Sequence, residues 1–199
     1  MGSSNLVTAP TLEPLTLAEA KAHLRVEVPD DDALIATLIL VAREWIEGQT
    51  HRALMTQTWD FLFDYDWPMR AGRVCLRLPL APVQSIVSVT YVDEGGVTRT
   101  LSASPTLYRL THGAEQPRVV PAYDAVWPCV RDDGEVITVR AVCGYGAGQG
   151  DVPQPLRLAM RILIGHWYEN REALIIGTIV AEAPLAVESL IAPYRRGFG

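Results

Sequence analysis

His166-Trp167-Tyr168-Glu169-Asn170-Arg171-Glu172 closes an apolar helix in which Leu156, Met160, Leu163 and Trp167 recur at spacings of four, three and four. That recurrence sets the four side chains on one helical face. Where the face ends, the segment gathers two aromatic rings, two acids, an arginine and an amide. No nucleophile stands beside a base there. The composition is that of a helix end gripped by its own core or by a neighbouring subunit. Leu17-Ala18-Glu19-Ala20-Lys21-Ala22-His23-Leu24-Arg25-Val26 is its counterpart near the other terminus, and the two together frame the chain.

Thr16-Leu17-Ala18-Glu19 is a capping box, in which the Thr hydroxyl and the Glu carboxylate satisfy free N–H groups of the first turn. The helix it opens is predicted to reach about Val26 and to stop before Pro29. Asp30, Asp31 and Asp32 then favour a new helix start, where negative charge meets the positive end of the dipole. In that second helix Leu34, Leu38, Val41 and Trp45 form one apolar seam, and Ile35, Ile39, Ala42 and Ile46 form another beside it. So broad a surface predicts burial on more than one side, part of it against another subunit. Gly48 is the expected stop.

The middle of the chain changes to a period of two. Trp59, Phe61, Phe63 and Tyr65 alternate with Asp60, Leu62 and Asp64; Val74, Leu76 and Leu78 alternate with Cys75 and Arg77; Val87, Val89 and Tyr91 alternate with Ser88 and Thr90. Asp93-Glu94-Gly95-Gly96 is a hairpin signal. Shorter strands are expected near Tyr108-Arg109-Leu110 and Arg118-Val119-Val120, and a last one from Glu135 to Val142. With no helical spacers between them, these strands should pair antiparallel. Gly144 to Gly150 reads as a joint, and Pro153 and Pro155 suit the first turn of the long helix. Pro184 opens a last short helix carrying Leu185, Val187, Leu190 and Ile191.

The expected fold class is α+β: a helical bundle from the N- and C-terminal helices with an inserted, sandwich-like antiparallel β domain. Residues 1–14 are read as a loose arm and residues 15–50 with 151–193 as the helical domain. Residues 51–150 form the β insertion with its glycine joint, and residues 194–199 a C-terminal tail.

Composition narrows the function. The 199 residues are 49% hydrophobic and 20% charged, enough for a substantial core. A net charge of −6 argues against a protein that coats nucleic acid through phosphates. Cys75, Cys129 and Cys143 have no metal-type spacing and are expected as reduced thiols. No apolar stretch approaches the roughly 20 residues needed to cross a bilayer, and no signal peptide is expected.

Gly144-Tyr145-Gly146-Ala147-Gly148-Gln149-Gly150 follows a strand and precedes a helix, as a phosphate loop would. It lacks the Gly-Lys-Ser/Thr ending, and Gln149 stands where a dinucleotide loop has its third glycine. Asp30-Asp31-Asp32 has no calcium-loop spacing, and His23, His51, His112 and His166 are scattered away from any cysteine ligand. Asp60 and Asp64 lie at strand spacing and are expected on a solvated face. No constellation converges on catalysis, so neither enzyme activity nor a cofactor or metal is expected. In contrast, Tyr194-Arg195-Arg196-Gly197-Phe198-Gly199 sets two arginines between aromatics, a composition suited to docking.

From residue 15 to about 196 the chain resembles the head–tail connector (adaptor) proteins of long-tailed phages and of phage-like gene transfer agents. The likeness rests on short pieces in a fixed order. They are Leu15 to Arg25, Asp31-Asp32-Ala33-Leu34-Ile35, Ala42-Arg43-Glu44-Trp45-Ile46-Glu47, Thr56-Gln57-Thr58-Trp59, Leu78 to Ile86, Val89-Thr90-Tyr91-Val92-Asp93, Gly144-Tyr145-Gly146, His166 to Ala173, and Leu190 to Arg195. The resemblance implies a structural virion component without enzymatic activity. It implies a ring, twelve-fold like the portal above it, that extends the DNA channel and carries the tail's stopper or terminator proteins. DNA would pass through without specific binding. The protein would assemble in the producer's cytoplasm and reside in the particle's neck. Portal docking would fall to Tyr194, Arg195, Arg196 and Phe198. Subunit contacts are expected from Leu34, Leu38, Trp45, Trp167, Tyr168 and Arg171.

One alternative comes from a different class. A β-sandwich that binds carbohydrate or peptide on a host surface could use Trp59, Trp67 and Trp127 as stacking faces.

Overall fold

The structure is a computed structural model, and it describes residues 3–64, 75–101, 107–112, 116–170 and 184–195. The chain divides into two compact units. One comprises Met1–Pro10 with Thr56–Gly144, and the other Thr11–Met55 with Tyr145–Gly199.

The helical unit begins at Thr16, where the predicted capping box forms. The Glu19 N–H donates to Thr16 Oγ1 at 3.0 Å and the Thr16 N–H donates to Glu19 Oε2 at 2.9 Å. Helix α1 (Leu17–Leu24) ends on Arg25 in the left-handed conformation, φ 59°. Helix α2 spans Asp32–Thr50 and ends on His51, also left-handed at φ 52°. Gly48 was the expected stop, yet the helix runs past it. Nothing crowds that position, and His51 supplies the left-handed turn instead.

The acids before α2 act differently from the expectation as well. Asp31 is the N-cap but makes no capping hydrogen bond. Its carboxylate accepts from the Tyr168 hydroxyl at 2.5 Å, while Asp32 pairs with Lys21 at 2.5 Å. These acids bind side chains of neighbouring helices more than they serve the helix dipole.

Helix α3 (Gln154–Glu169) and the short helix α4 (Leu185–Ile191) complete the unit. Ile35, Leu38, Ile39, Ala42 and Ile46 of α2 meet Leu156, Ala159, Met160, Leu163, Ile164 and Trp167 of α3 in one core, joined by Val187 and Ile191 of α4. Each fully buried aliphatic side chain there contributes about 1.5–3 kcal/mol. The second seam of α2 is thus wholly internal, and the first is split. Leu38 is 4% exposed, whereas Leu34, Val41 and Trp45 are half-buried at its flank.

In the other unit, five strands form an antiparallel sheet in the order β1-β2-β8-β4-β5, and three form a second in the order β3-β7-β6. The strands are β1 Ser4–Thr8, β2 Gln57–Phe63, β3 Leu76–Arg77, β4 Val83–Val92, β5 Thr98–Leu101, β6 Tyr108–His112, β7 Pro117–Pro121 and β8 Ile137–Cys143. Central β8 buries Ile137, Val139, Ala141 and Cys143 on one face, as its period of two predicts.

Three expectations change here. The first residues are not a loose arm, because Ser4–Leu6 pair in register with Trp59–Phe61. All five β1 residues are exposed, so backbone hydrogen bonds hold this edge strand and a search for buried side chains misses it. The regular alternation of β4 also breaks, since its register against β8 shifts between Ile86 and Ser88. That bulge takes Val87 off the Val89 face and leaves it 49% exposed. Of the strand expected at Val74, Leu76 and Leu78, only Leu76–Arg77 is a strand, and Val74, like Tyr65 at the end of the first expected strand, lies outside the described residues.

Candidate functional site

The structure brings charged side chains together within the helical unit, and they tie its distant segments to one another. Arg157 of α3 is buried. It donates to Glu19 Oε1 at 2.6 Å and to the Pro14 carbonyl at 3.1 Å. Arg161, one turn further, lies 3.3 Å from the same carboxylate oxygen. The backbone hydrogen bond from Thr16, helped by Arg157, holds the Glu19 carboxyl below its ordinary range despite some desolvation.

A second network centres on Arg43, 7% exposed in α2. It donates to Glu13 Oε2 and to Glu47 Oε2, each at 2.8 Å. Burial by itself would weaken the Arg43 charge, but the attraction of Glu47 and Glu13 outweighs it and the pKa is raised. Glu47 Oε1 accepts from the Leu54 N–H at 2.7 Å, and Gln149 donates to the Glu13 carbonyl at 2.9 Å. Neither network contains a nucleophile or a hydrogen-bonded acid–base pair free to meet a substrate. Their geometry suits a rigid scaffold.

The glycine joint has a physical role of its own. Gly144 takes φ 122°, a conformation that favours glycine. Gly146 is needed for a different reason: a Cβ there would lie 2.1 Å from Asp151 Oδ2. That carboxylate accepts from the Gly148 N–H at 2.8 Å and folds the loop upon itself, where a phosphate loop would present its N–H groups outward. Among the described residues no group of three or more His, Cys, Asp or Glu is placed to hold a metal, and no helix is long and apolar enough to cross a membrane.

The residues expected at interfaces fall into three groups. Leu38 and Trp167 are 4% and 5% exposed within the protein's own core, so the expectation that their side chains form subunit contacts is corrected. Leu34, Trp45 and Tyr168 are half-buried at the edge of that core and keep surface to offer. Arg171 lies outside the described residues.

Of the docking tail, Tyr194 and Arg195 are described and are part of the fold. Tyr194 packs against the core, and its carbonyl accepts from Arg52 Nε at 2.8 Å. Arg195 pairs with Glu188 at 2.5 Å and reaches Gln49 at 3.2 Å. Arg196 and Phe198 lie outside the described residues.

The tryptophans that could stack on sugars are not gathered. Trp59 lies stacked on Phe61, ring centroids 6.5 Å apart, and Trp67 is outside the described residues. Trp127 is half-buried and held by a contact of its own. Asp60 pairs with Arg140 directly across the sheet, both oxygens at 2.7 Å, as befits a solvated face. A feature the sequence does not single out is the cluster of Arg77, Arg109 and Arg118 on the small sheet. They are far apart in sequence, and only strand pairing brings them together.

Residues 14–73 match the model of the phage gp6-like head-tail connector protein family. A chain from the neck of an empty gene transfer agent particle, computed with C6 symmetry, superposes with a TM-score of 0.78 at 26% identity over 98% of this chain and 96% of that one. A chain from the virion of a native gene transfer agent particle gives 0.77 at 28% identity, over 98% and 95%. A third, from the neck of a native particle computed with C12 symmetry, gives 0.76 at 27% identity, over 98% and 96%. No curated protein matches. The chain thus carries a connector-family sequence pattern in its first helices and is similar in fold, along nearly its whole length, to chains from gene transfer agent necks.

Proposed function

We propose that the protein is a non-enzymatic adaptor in the neck of such a particle. It forms a ring between portal and tail, extends the DNA channel and gives the tail its attachment platform. The observation that carries this reading is the extent of the structural match: it spans 98% of this chain and 96% of the neck chain, so both units are included.

The ring has twelve copies, a number supported by the C12 symmetry of a matching neck. Leu34, Trp45 and Tyr168 supply apolar and aromatic area to subunit contacts, with Arg171 following Tyr168 in sequence. Portal docking belongs to the C-terminal segment. Tyr194 and Arg195 anchor its base on the helical unit, and Arg196 and Phe198 make the contact beyond. The tail-side partners are the stopper and terminator proteins. A net charge of −6 suits a wall past which DNA slides without being held.

The experiment is reconstitution with purified portal rings. The full chain is expected to form a twelve-fold ring on the portal, seen by cryo-electron microscopy. A chain ending at Arg195 is expected to fold with an unchanged melting temperature and to lose the portal. Normal portal binding by that shortened chain would overturn the docking assignment. Failure of the full chain to bind at all would overturn the adaptor reading.

A further inference from the structure

The small sheet carries a cationic face that meets no carboxylate among the described residues. Arg77 of β3 lies directly opposite Arg118 of β7, and Arg109 projects from the neighbouring β6. Leu76, Tyr108 and Val119, adjacent to these arginines in sequence, are buried, so strand alternation turns all three arginines to the outer face. Arg109 and Arg118 line a concavity of about 800 Å³, and its wall includes Tyr123 and Val126. Those two side chains are 95% and 81% exposed, among the most open large apolar groups of the described residues. Asp124 is the one acid on that lining.

The charge arrangement is unfavourable as it stands. Like charges directly opposite across a sheet destabilise it. Elsewhere among the described residues Arg43, Arg99, Arg140, Arg157 and Arg195 each have a carboxylate within 2.8 Å. Among the described residues, Arg77, Arg109 and Arg118 have none.

We propose that this face docks an acidic segment of a partner protein. Its carboxylates would be received by the three guanidinium groups, each able to bind one with two parallel hydrogen bonds. Apolar side chains of the same segment lie on Tyr123 and Val126. Arginine and tyrosine beside a concavity form the composition enriched at energetic hot spots of protein interfaces. A DNA duplex fits less well, because its rows of phosphate would meet the repulsion of a chain of net charge −6 and would leave the apolar wall uncovered. A second copy of this chain, which exposes Glu27, Asp30, Glu94 and Asp132, is the rival donor that the test distinguishes. The proposal does not depend on the neck assignment.

The test uses the full chain and fluorescence anisotropy with two probes: a labelled peptide alternating glutamate pairs with leucine, and a short labelled DNA duplex. The chain is expected to bind the peptide at low salt and not the duplex. R109A/R118A is expected to weaken peptide binding about tenfold or more while melting at the same temperature, since both side chains are exposed. R109K/R118K should recover part of the loss, because it restores charge without the planar fork. The proposal is overturned if the wild-type chain fails to bind the peptide, if the alanine pair binds it equally well, or if the duplex binds more tightly. It is equally overturned if the peptide is excluded by self-association that the alanine pair abolishes, which would make the occupant a second copy.

Discussion

Arg157 and Glu19, 138 residues apart in sequence, are joined by a hydrogen-bonded ion pair of 2.6 Å between α3 and α1. The same carboxylate, through its other oxygen, accepts from the Thr16 N–H in the capping box. One glutamate therefore both starts the first helix and latches it to the helix that follows the β strands in sequence. The Arg157 side chain is only 9% exposed, so removing Glu19 would leave a nearly buried guanidinium with the Pro14 carbonyl as its remaining partner. Glu19→Ala is therefore expected to destabilise the protein by about 3 kcal/mol, within the usual cost of leaving a buried charge unpaired. Chemical denaturation measures this directly, and a loss under about 1 kcal/mol would mean the pair is solvated.

Acid should weaken the same latch. The folded Glu19 carboxyl lies below its ordinary value of 4.5, held there by the Thr16 backbone and by Arg157. As pH falls, the unfolded chain takes up this proton first. The contribution of Glu19 is therefore fully present above its unfolded value and is lost as pH drops through the lower, folded one. The acid arm of a stability-against-pH curve should be shallower in Glu19→Gln than in the wild type, and identical slopes would remove Glu19 from this role.

The loop before α3 makes a sharp contrast between neighbouring glycines. A Cβ at Gly146 would collide with the Asp151 carboxylate at 2.1 Å, while one at Gly150 would meet nothing within 4 Å. Gly146→Ala is expected to cost about 1–3 kcal/mol, as crowding a tight site does. Gly150→Ala should stay near wild type in a thermal melt. Equal melting temperatures for both would contradict the close approach.

Trp167 and Trp45 separate core from edge. Trp167 is 5% exposed, and Trp167→Ala should destabilise the monomer by about 3–5 kcal/mol. Trp45 is half-buried, so its replacement should cost the monomer clearly less and weaken ring assembly instead. Monomer denaturation together with sizing of the assembled ring distinguishes the two effects.

Thiol chemistry checks the β unit. Burial pushes the Cys143 thiol up to about 12, whereas Cys129 is exposed. In the native protein, iodoacetamide is expected to label Cys129 quickly and to leave Cys143 unmodified until the chain unfolds. Early labelling of Cys143 in a peptide map would mean that strand β8 opens readily.

Much of this was legible in the sequence because it depends on local periodicity. The Thr16–Glu19 box, the α3 stripe through Trp167 and the inward face of β8 all follow from repeats of 3.6 or two residues. The missed features arise from pairings at a distance. Strand β1 has no buried face, so no hydrophobic pattern marks it. The bulge at Ile86–Ser88 is a property of the partner strand's register. The Arg77–Arg118 juxtaposition exists only once β3 pairs with β7. Leu38 and Trp167 looked available to a neighbour because apolar periodicity does not say whether a face meets its own chain or another. The C-terminal tail was similarly ambiguous. Tyr194 proves to belong to the core's edge, so a cut before it should disturb folding where a cut after Arg195 should not.

The central claim is that this protein joins head to tail. The most direct measurement is electron microscopy of particles from a producer lacking its gene. Filled or empty heads and separate, complete tails are the predicted result, with joined particles restored when the gene is returned. Intact, joined particles in the deletion strain would contradict the account.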